Sequence, residues 1–144
     1  MGSYCKGEFP QNMSKPKTMT FSIGSVTREE RFTRVTLGQS ETHDVEDAKS
    51  LMDAIRAVVS RAEPVPLLTD VRATSVGPST EARRFYDEPE NAGYATCSAV
   101  LCESAYQKLL GNFALMFSPH EIPRRIFTDE AAAIAWLADT HGGQ

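Results

Sequence analysis

The sequence has 144 residues, of which 41% are hydrophobic and 24% charged, and it carries a formal net charge of -4 at pH 7. This length fits one domain, and the hydrophobic content is enough for one sizeable core, so no second, independent domain core is expected. The acidic balance argues against nucleic acid as a partner, because that affinity comes from Lys and Arg neutralising phosphates. No apolar run approaches the roughly 18 residues that cross a bilayer, so no membrane span is expected.

The three cysteines, Cys5, Cys97 and Cys102, do not form the even-numbered set of a disulfide framework. No signal-sequence pattern precedes them, so we expect a reducing, cytoplasmic location. Cys97 and Cys102 lie an odd number of residues apart along one predicted strand. Their side chains should therefore point to opposite faces of the sheet, as buried and inert thiols.

The chain divides into three predicted parts. Residues 1–18 contain Gly and Pro but little apolar periodicity, which is typical of a flexible tail. The folded domain is predicted over residues 19–141, and residues 142–144 form the C-terminal end. The domain begins with two β-branched and aromatic runs, 19–26 and 31–37, and the polar residues between them indicate a hairpin.

Helices and strands then alternate along the chain. Apolar residues recur at helical spacing from Val45 to Val59, and Asp44 can cap this helix with Asp47 in its first turn. A strand at 67–71, a short helix beginning near Ser79, a strand at 94–101, a helix at 104–113, a strand at 124–127 and a last helix follow. Trp136 lies on the apolar face of that last helix and is predicted to be a core anchor.

The predicted order of elements is ββαβαβαβα. Strands that alternate with helices indicate an α/β fold with a mixed, mainly parallel sheet, here opened by a hairpin.

No motif for catalysis, cofactor binding or metal binding is present. The sequence lacks phosphate-loop, dinucleotide-binding and serine-hydrolase strings. His43, His120 and His141 lie in separate polar segments without zinc spacing, and we expect them to be solvated surface residues. No set of acid, base and nucleophile stands out, so no enzymatic activity and no cofactor are expected.

Several strings from Asp44 to Leu137 resemble the bacterial STAS-like, or SpoIIAA-like, families of uncharacterised proteins. They are the end of a strand at Asp70-Val71-Arg72, the helix start at Glu81-Ala82-Arg83, the segment Gly111-Asn112-Phe113, and the closing strings Phe127-Thr128-Asp129-Glu130 and Ala133-Ile134-Ala135-Trp136-Leu137. The resemblance implies a sheet of four or five strands with packed helices. It also implies a regulatory or protein-interaction role.

Better-known relatives of these families, the anti-sigma-factor antagonists, are switched by phosphorylation of a serine in an Asp-Ser-x-Gly turn. The matching turn here reads Gly77-Pro78-Ser79-Thr80, in which Pro78 replaces the Asp and the Gly is missing. Ser79 or Thr80 is therefore either a phosphorylated switch residue or only a helix cap.

Two further candidate surfaces follow from the same region. Asp70, Arg72 and Arg83 lie where open α/β sheets place ligands, so the arginines either contact an anion or partner, or pair internally, Arg83 with Asp70 or Glu81. The second is an apolar surface that either binds a partner or ligand or belongs to the core. It consists of Tyr106, Phe113, Leu115, Met116 and Phe117.

Two functional hypotheses remain. The first is a non-enzymatic regulatory module that docks to another protein or to a second copy of itself, as in a homodimer. The alternative is a carrier or sensor of a small apolar or lipid-like ligand. The first relies on the family resemblance, and the second on the Phe-rich segment.

Overall fold

The computed structural model describes residues 17–104 and 122–142. The strands and helices of these residues form one mixed sheet with helices on both faces. In chain order they are β1 (Lys17–Phe21), β2 (Gly24–Arg28), β3 (Thr33–Leu37), α1 (Val45–Val58), β4 (Val65–Asp70), α2 (Thr80–Tyr86), a 3-10 turn (Pro89–Asn91), β5 (Ala95–Leu101), β6 (Arg124–Phe127) and α3 (Glu130–Gly142).

The sheet has six described strands in the order β1-β2-β3-β4-β5-β6. The pairs β1–β2 and β2–β3 are antiparallel, and β3–β4, β4–β5 and β5–β6 are parallel. The α/β class and the mixed, mainly parallel sheet are confirmed. The predicted count of four or five strands is too low.

The opening hairpin is in fact a three-stranded meander. The run 19–26 does not form one strand, because the chain turns at Ser22 and Ile23 and pairs Phe21 with Gly24. A side chain at Gly24 would collide with the carbonyl oxygen of Thr36 on β3, so this close approach of two backbones requires glycine. β1 also includes Lys17 and Thr18, which the prediction assigned to the tail.

Helix α1 forms as its periodicity predicts. The Asp44 carboxylate accepts from the amide of Asp47 at 3.0 Å, and the Asp47 carboxylate accepts from the amide of Asp44 at 3.0 Å. This reciprocal capping box satisfies backbone donors that the first helical turn leaves free. The buried face of α1, with Leu51, Met52 and Ile55 at its centre, packs on the sheet.

Each face of the sheet supports its own core. Residues of β2 and β3 pack with α1 and α2 on one face, where Val26, Val35 and Val100 are almost fully buried. On the other face, Leu68 and Leu101 pack against α3. Cys97 and Cys102 are both buried and belong to opposite cores, as their spacing predicts.

Leu137, not Trp136, is the main anchor of α3. Leu137 is 1% exposed and Ala133 is fully buried, whereas Trp136 is half-buried, with its ring 5.7 Å from that of Phe127. The helix contacts the sheet through Ala133 and Leu137, which lie one turn apart on the same side of the helix. Trp136 therefore points away from the centre of this contact, toward the rim of the core. Trp136 was predicted to be a core anchor, and the structure shows it packed against this core but only partly buried.

We expect Leu137→Ala to lower the free energy of unfolding by about 2–5 kcal/mol, because it leaves a cavity between α3 and the sheet. Denaturant unfolding followed by circular dichroism measures this loss. Ala135→Ser, at an exposed position of the same helix, should stay within about 0.5 kcal/mol of the wild type. Equal losses for both variants would show that α3 does not pack through Leu137.

Candidate functional site

The candidate site begins where the central strand β4 ends, at Asp70. Asp70 is only 8% exposed, and Arg72 folds back onto it. The Arg72 guanidinium donates to Oδ1 at 3.0 Å and to Oδ2 at 2.8 Å, and the Arg72 amide donates to Oδ1 at 3.0 Å. This fork-to-fork pair neutralises the buried carboxylate and fixes the direction of the chain after β4.

The Asp70–Arg72 pair belongs to a network that joins three elements. Glu130 at the start of α3 accepts from Arg72 at 3.1 Å and from Arg34 of β3 at 3.0 Å. Arg34 also donates to Glu29 at 2.6 Å. The network therefore ties β3, β4 and α3 together.

The contacts with Arg72 also shift the pKa of Asp70. Burial raises the pKa of Asp70, but the hydrogen bonds and charge of Arg72 together outweigh it, so the pKa lies below its ordinary value. Arg72 is thus committed to two carboxylates of its own chain. The partner of Asp70 is therefore Arg72, whereas the internal pair considered from the sequence was that of Arg83 with Asp70 or Glu81.

The turn before α2 holds the other predicted residues, Ser79, Thr80 and Arg83. Ser79 is the N-cap of α2, and its hydroxyl accepts from the amide of Ala82 at 3.1 Å. Its own amide donates to the carbonyl of His43 at 2.9 Å. Thr80 and Glu81 are exposed beside it.

Arg83 does not take the partner that the sequence suggested. Asp70 pairs with Arg72 instead, and the Arg83 guanidinium donates to the Pro78 carbonyl at 2.9 Å and to the Thr80 hydroxyl at 3.3 Å. These two bonds fold the side chain over the turn that it follows. The structure therefore brings Ser79, Thr80 and Arg83 together, and it brings Asp70 and Arg72 together as a separate pair.

His43 was predicted to be a solvated surface residue, and that prediction is wrong. It is 3% exposed, and its Nε2 lies 2.6 Å from the hydroxyl of Tyr86, with the two rings edge to face at 5.7 Å. Burial lowers the pKa of His43 even though the nearby carboxylates of Asp47 and Asp44 act to raise it. Its position just before the cap Asp44 was the available signal, because residues there commonly pack back against the helix.

A largely apolar cavity of about 70 Å³ lies between the sheet and helices α1 and α2. Its apolar lining includes Val35, Leu51, Ile55 and Val100. Its polar lining residues are His43, Thr69, Tyr86, Asn91, Tyr94 and Ser98. Ser98 is 1% exposed, and among the described residues its hydroxyl has no hydrogen-bond partner. Sequence reasoning missed Ser98, since one small polar residue in a buried strand gives no distinguishing pattern.

The remaining predicted site residues are Tyr106, Phe113, Leu115, Met116 and Phe117, and all five lie outside the described residues. Over residues 17–104 and 122–142, no group of three His, Cys, Asp or Glu side chains is arranged to hold a metal ion. In the same ranges, no helix has both the length and the apolar character to cross a bilayer.

Comparison with known protein families assigns the chain to one of them. The model of a family described as a domain of unknown function, DUF7793, matches residues 29–141. The chain belongs to the DUF7793 family. Comparison of this DUF7793 chain with curated proteins gives no match.

The DUF7793 domain is also similar to a solved structure. This is an uncharacterised protein of the DUF3478 family from Shewanella loihica PV-4 that has a SpoIIAA-like fold. The two share 15% sequence identity with a TM-score of 0.57, over 86% of this chain and 98% of the other. The similarity confirms the SpoIIAA-like fold and the resemblance to uncharacterised relatives.

Because the pKa of His43 is lowered in the folded state, the stability of the DUF7793 domain should depend on pH near neutrality. Below pH 6.5 the unfolded chain binds a proton at His43 while the folded chain resists it, so stability is lost as pH falls from 6.5 toward the folded pKa. We expect a decline of at most about 1.4 kcal/mol per pH unit from this group. Urea unfolding at a series of pH values between about 5 and 7.5 measures it.

The variant His43→Gln should flatten this decline, whatever its own stability. His141→Gln, at an exposed histidine of α3, is the matched control and should keep the wild-type slope. A wild-type slope in His43→Gln would contradict the assignment.

Ser79→Ala should lower the free energy of unfolding by about 1 kcal/mol, because the α2 cap is lost. Ser79→Asp should retain most of the wild-type stability, since Asp is an equally good cap. Thermal unfolding of both variants beside Ser75→Ala, an exposed serine of the same loop, tests this. A stable Ser79→Ala protein would mean that the Ser79 hydroxyl contributes nothing to α2.

Proposed function

We propose that this domain is a non-enzymatic regulatory module that docks to another protein or to a second copy of itself through the α2 turn, residues 77–83. The main support for the proposal is that the α2 turn exposes side chains to solvent while hydrogen bonds hold its backbone in place. Thr80 and Glu81 are exposed, while the Ser79 amide is held by the His43 carbonyl and the Pro78 carbonyl by Arg83. A surface that is already ordered loses little conformational entropy when it binds a partner.

The fold supports a regulated contact at this turn. In the anti-sigma-factor antagonists, which are better-known relatives of the families that the sequence resembles, the phosphorylated serine occupies the matching turn. A phosphate on Thr80 would add about two negative charges next to the Arg83 guanidinium, which can pair with it. The charge of the docking surface would then change without loss of the α2 cap, which Ser79 supplies.

The buried thiols support a reducing, cytoplasmic location. Cys97 and Cys102 are both buried, and burial raises the pKa of the Cys97 thiol despite a hydrogen bond from Thr96. A thiol in that state is a packing group and a poor nucleophile. The acidic net charge of -4 supports a partner other than nucleic acid.

A second candidate function is the binding of a small apolar ligand, as its carrier or sensor. The cavity between the sheet and helices α1 and α2 favours it, because apolar pockets with a few polar groups are the usual form of small-molecule sites. Ligand binding would use the interior cavity beneath α2, whereas protein docking would use the exposed turn at the start of the same helix.

Photo-crosslinking from the α2 turn tests the docking proposal. A benzophenone amino acid in place of Thr80, in cells that naturally express the protein, should give one discrete adduct on irradiation. An adduct of twice the chain mass would identify a second copy. The matched position is Glu63, which is exposed in the loop before β4 and therefore lies at the opposite edge of the sheet.

The crosslinked partner is then purified and its affinity measured. Thr80→Asp and Glu81→Arg should change the affinity at least about tenfold, and Glu63→Arg should leave it unchanged, with circular dichroism to confirm folding. Equal adducts from Thr80 and Glu63, or none from Thr80, would refute docking through this turn.

A further inference from the structure

The Ser98 hydroxyl is a buried polar group that faces an apolar cavity. Ser98 pairs in register with Leu67 in the middle of the parallel sheet and lines the cavity floor. Among the described residues, only the hydroxyls of Ser98 and Thr33 are fully buried side-chain groups without a hydrogen-bond partner. Buried polar groups in native proteins normally have a partner, so an unpartnered one needs a physical explanation.

Thr33 provides an internal comparison. It is 2% exposed and its hydroxyl is equally unpartnered, but it is absent from the cavity lining. An occupant of the cavity can therefore satisfy Ser98 and cannot satisfy Thr33. Ser98 is therefore the hydroxyl that a ligand could contact, and Thr33 serves as a buried hydroxyl that no ligand in this cavity could reach.

The cavity limits the size of its occupant. A cavity of about 150 Å³ lined by apolar side chains takes up benzene, and about 10–15 Å³ suffices for one water. A volume of about 70 Å³ lies between these limits. It suits a molecule, or the part of a molecule, of roughly three to six non-hydrogen atoms.

The lining limits the charge of its occupant. The walls are mainly aliphatic, and none of the described lining residues is an Asp, Glu, Lys or Arg. An ion would lose its hydration there without gaining an opposite charge. His43 and Tyr86 hydrogen bond to each other across the wall and are both uncharged in this environment.

We infer that this cavity binds a small uncharged molecule with an apolar body and one hydrogen-bonding group, which the Ser98 hydroxyl contacts. This inference rests on the ligand-binding candidate above and specifies its ligand class. It is independent of protein docking through the α2 turn.

A titration with four-atom probes of different charge tests the inference. Acetone is the neutral probe, and acetate and isopropylammonium are its charged counterparts. In ¹H–¹⁵N NMR spectra of the full chain, acetone should shift the amides of Ser98 and Val100 saturably, with a Kd on the order of 1 mM. The two ions should cause no saturable shift at these amides.

Variants at the two unpartnered hydroxyls provide the control. Ser98→Ala should weaken acetone binding about 3- to 10-fold, and Thr33→Val should bind it as the wild type does. Ser98→Cys, which keeps the size of the side chain but has a weak donor, should fall between them and serves if Ser98→Ala does not fold.

The results that would contradict this inference differ from those that would contradict ligand binding in general. Equal acetone affinity in Ser98→Ala and wild type, or a water that no probe displaces, would overturn the inference. If 1-octanol binds tightly and Ser98→Ala does not weaken it, the general ligand-binding function survives and the small-ligand inference fails. None of these results bears on crosslinking from Thr80.

Discussion

Asp70 is the last residue of the central strand β4, and its carboxylate is almost completely shielded from water. A carboxylate in such a position needs a positively charged partner. A buried charge without a partner is far more costly than one with ideal geometry. Arg72 meets this need from only two residues away, which forces the chain to fold back as it leaves β4. The loop that leads to Ser79 and α2 begins from this constrained point.

The Asp70–Arg72 pair also takes part in contacts with α3, the helix that covers one face of the sheet. Glu130, in the first turn of α3, shares Arg72 with Asp70 and binds Arg34 of the neighbouring strand. Acidic groups are favourable at a helix N-terminus, so Glu130 serves the helix and the network together. Leu137, two turns further along the same helix, belongs with Leu68 to the core on that face.

Much of the fold could be predicted because local signals and tertiary packing agree. The Asp44–Asp47 pair that should cap α1 does so, and the 124–127 strand lies where its β-branched and aromatic residues indicate. The β1–β2 turn was missed because its two central residues are Ser22 and Ile23, whereas the usual signal is Gly or Asn. The apolar Ile23 continues the alternation of a strand.

The candidate site was only partly predictable, since contacts between distant segments decide it. Sequence reasoning identified Ser79, Asp70 and Arg72, which bond within a few residues of themselves. It could not place His43 against Tyr86, because the two are 43 residues apart and a histidine in a polar segment is ordinarily solvated. Ser98 becomes notable only when the residues opposite it are known.

The order of the strands across the sheet is also their order along the chain. Each described strand therefore pairs with a strand that was synthesised immediately before it, and none is inserted between two strands already joined. A chain that emerges from the ribosome amino end first can extend this sheet one strand at a time, beginning from the local β1–β3 meander. The α3 face waits longest, because Leu68 and Leu101 stay uncovered on that face until α3 is made.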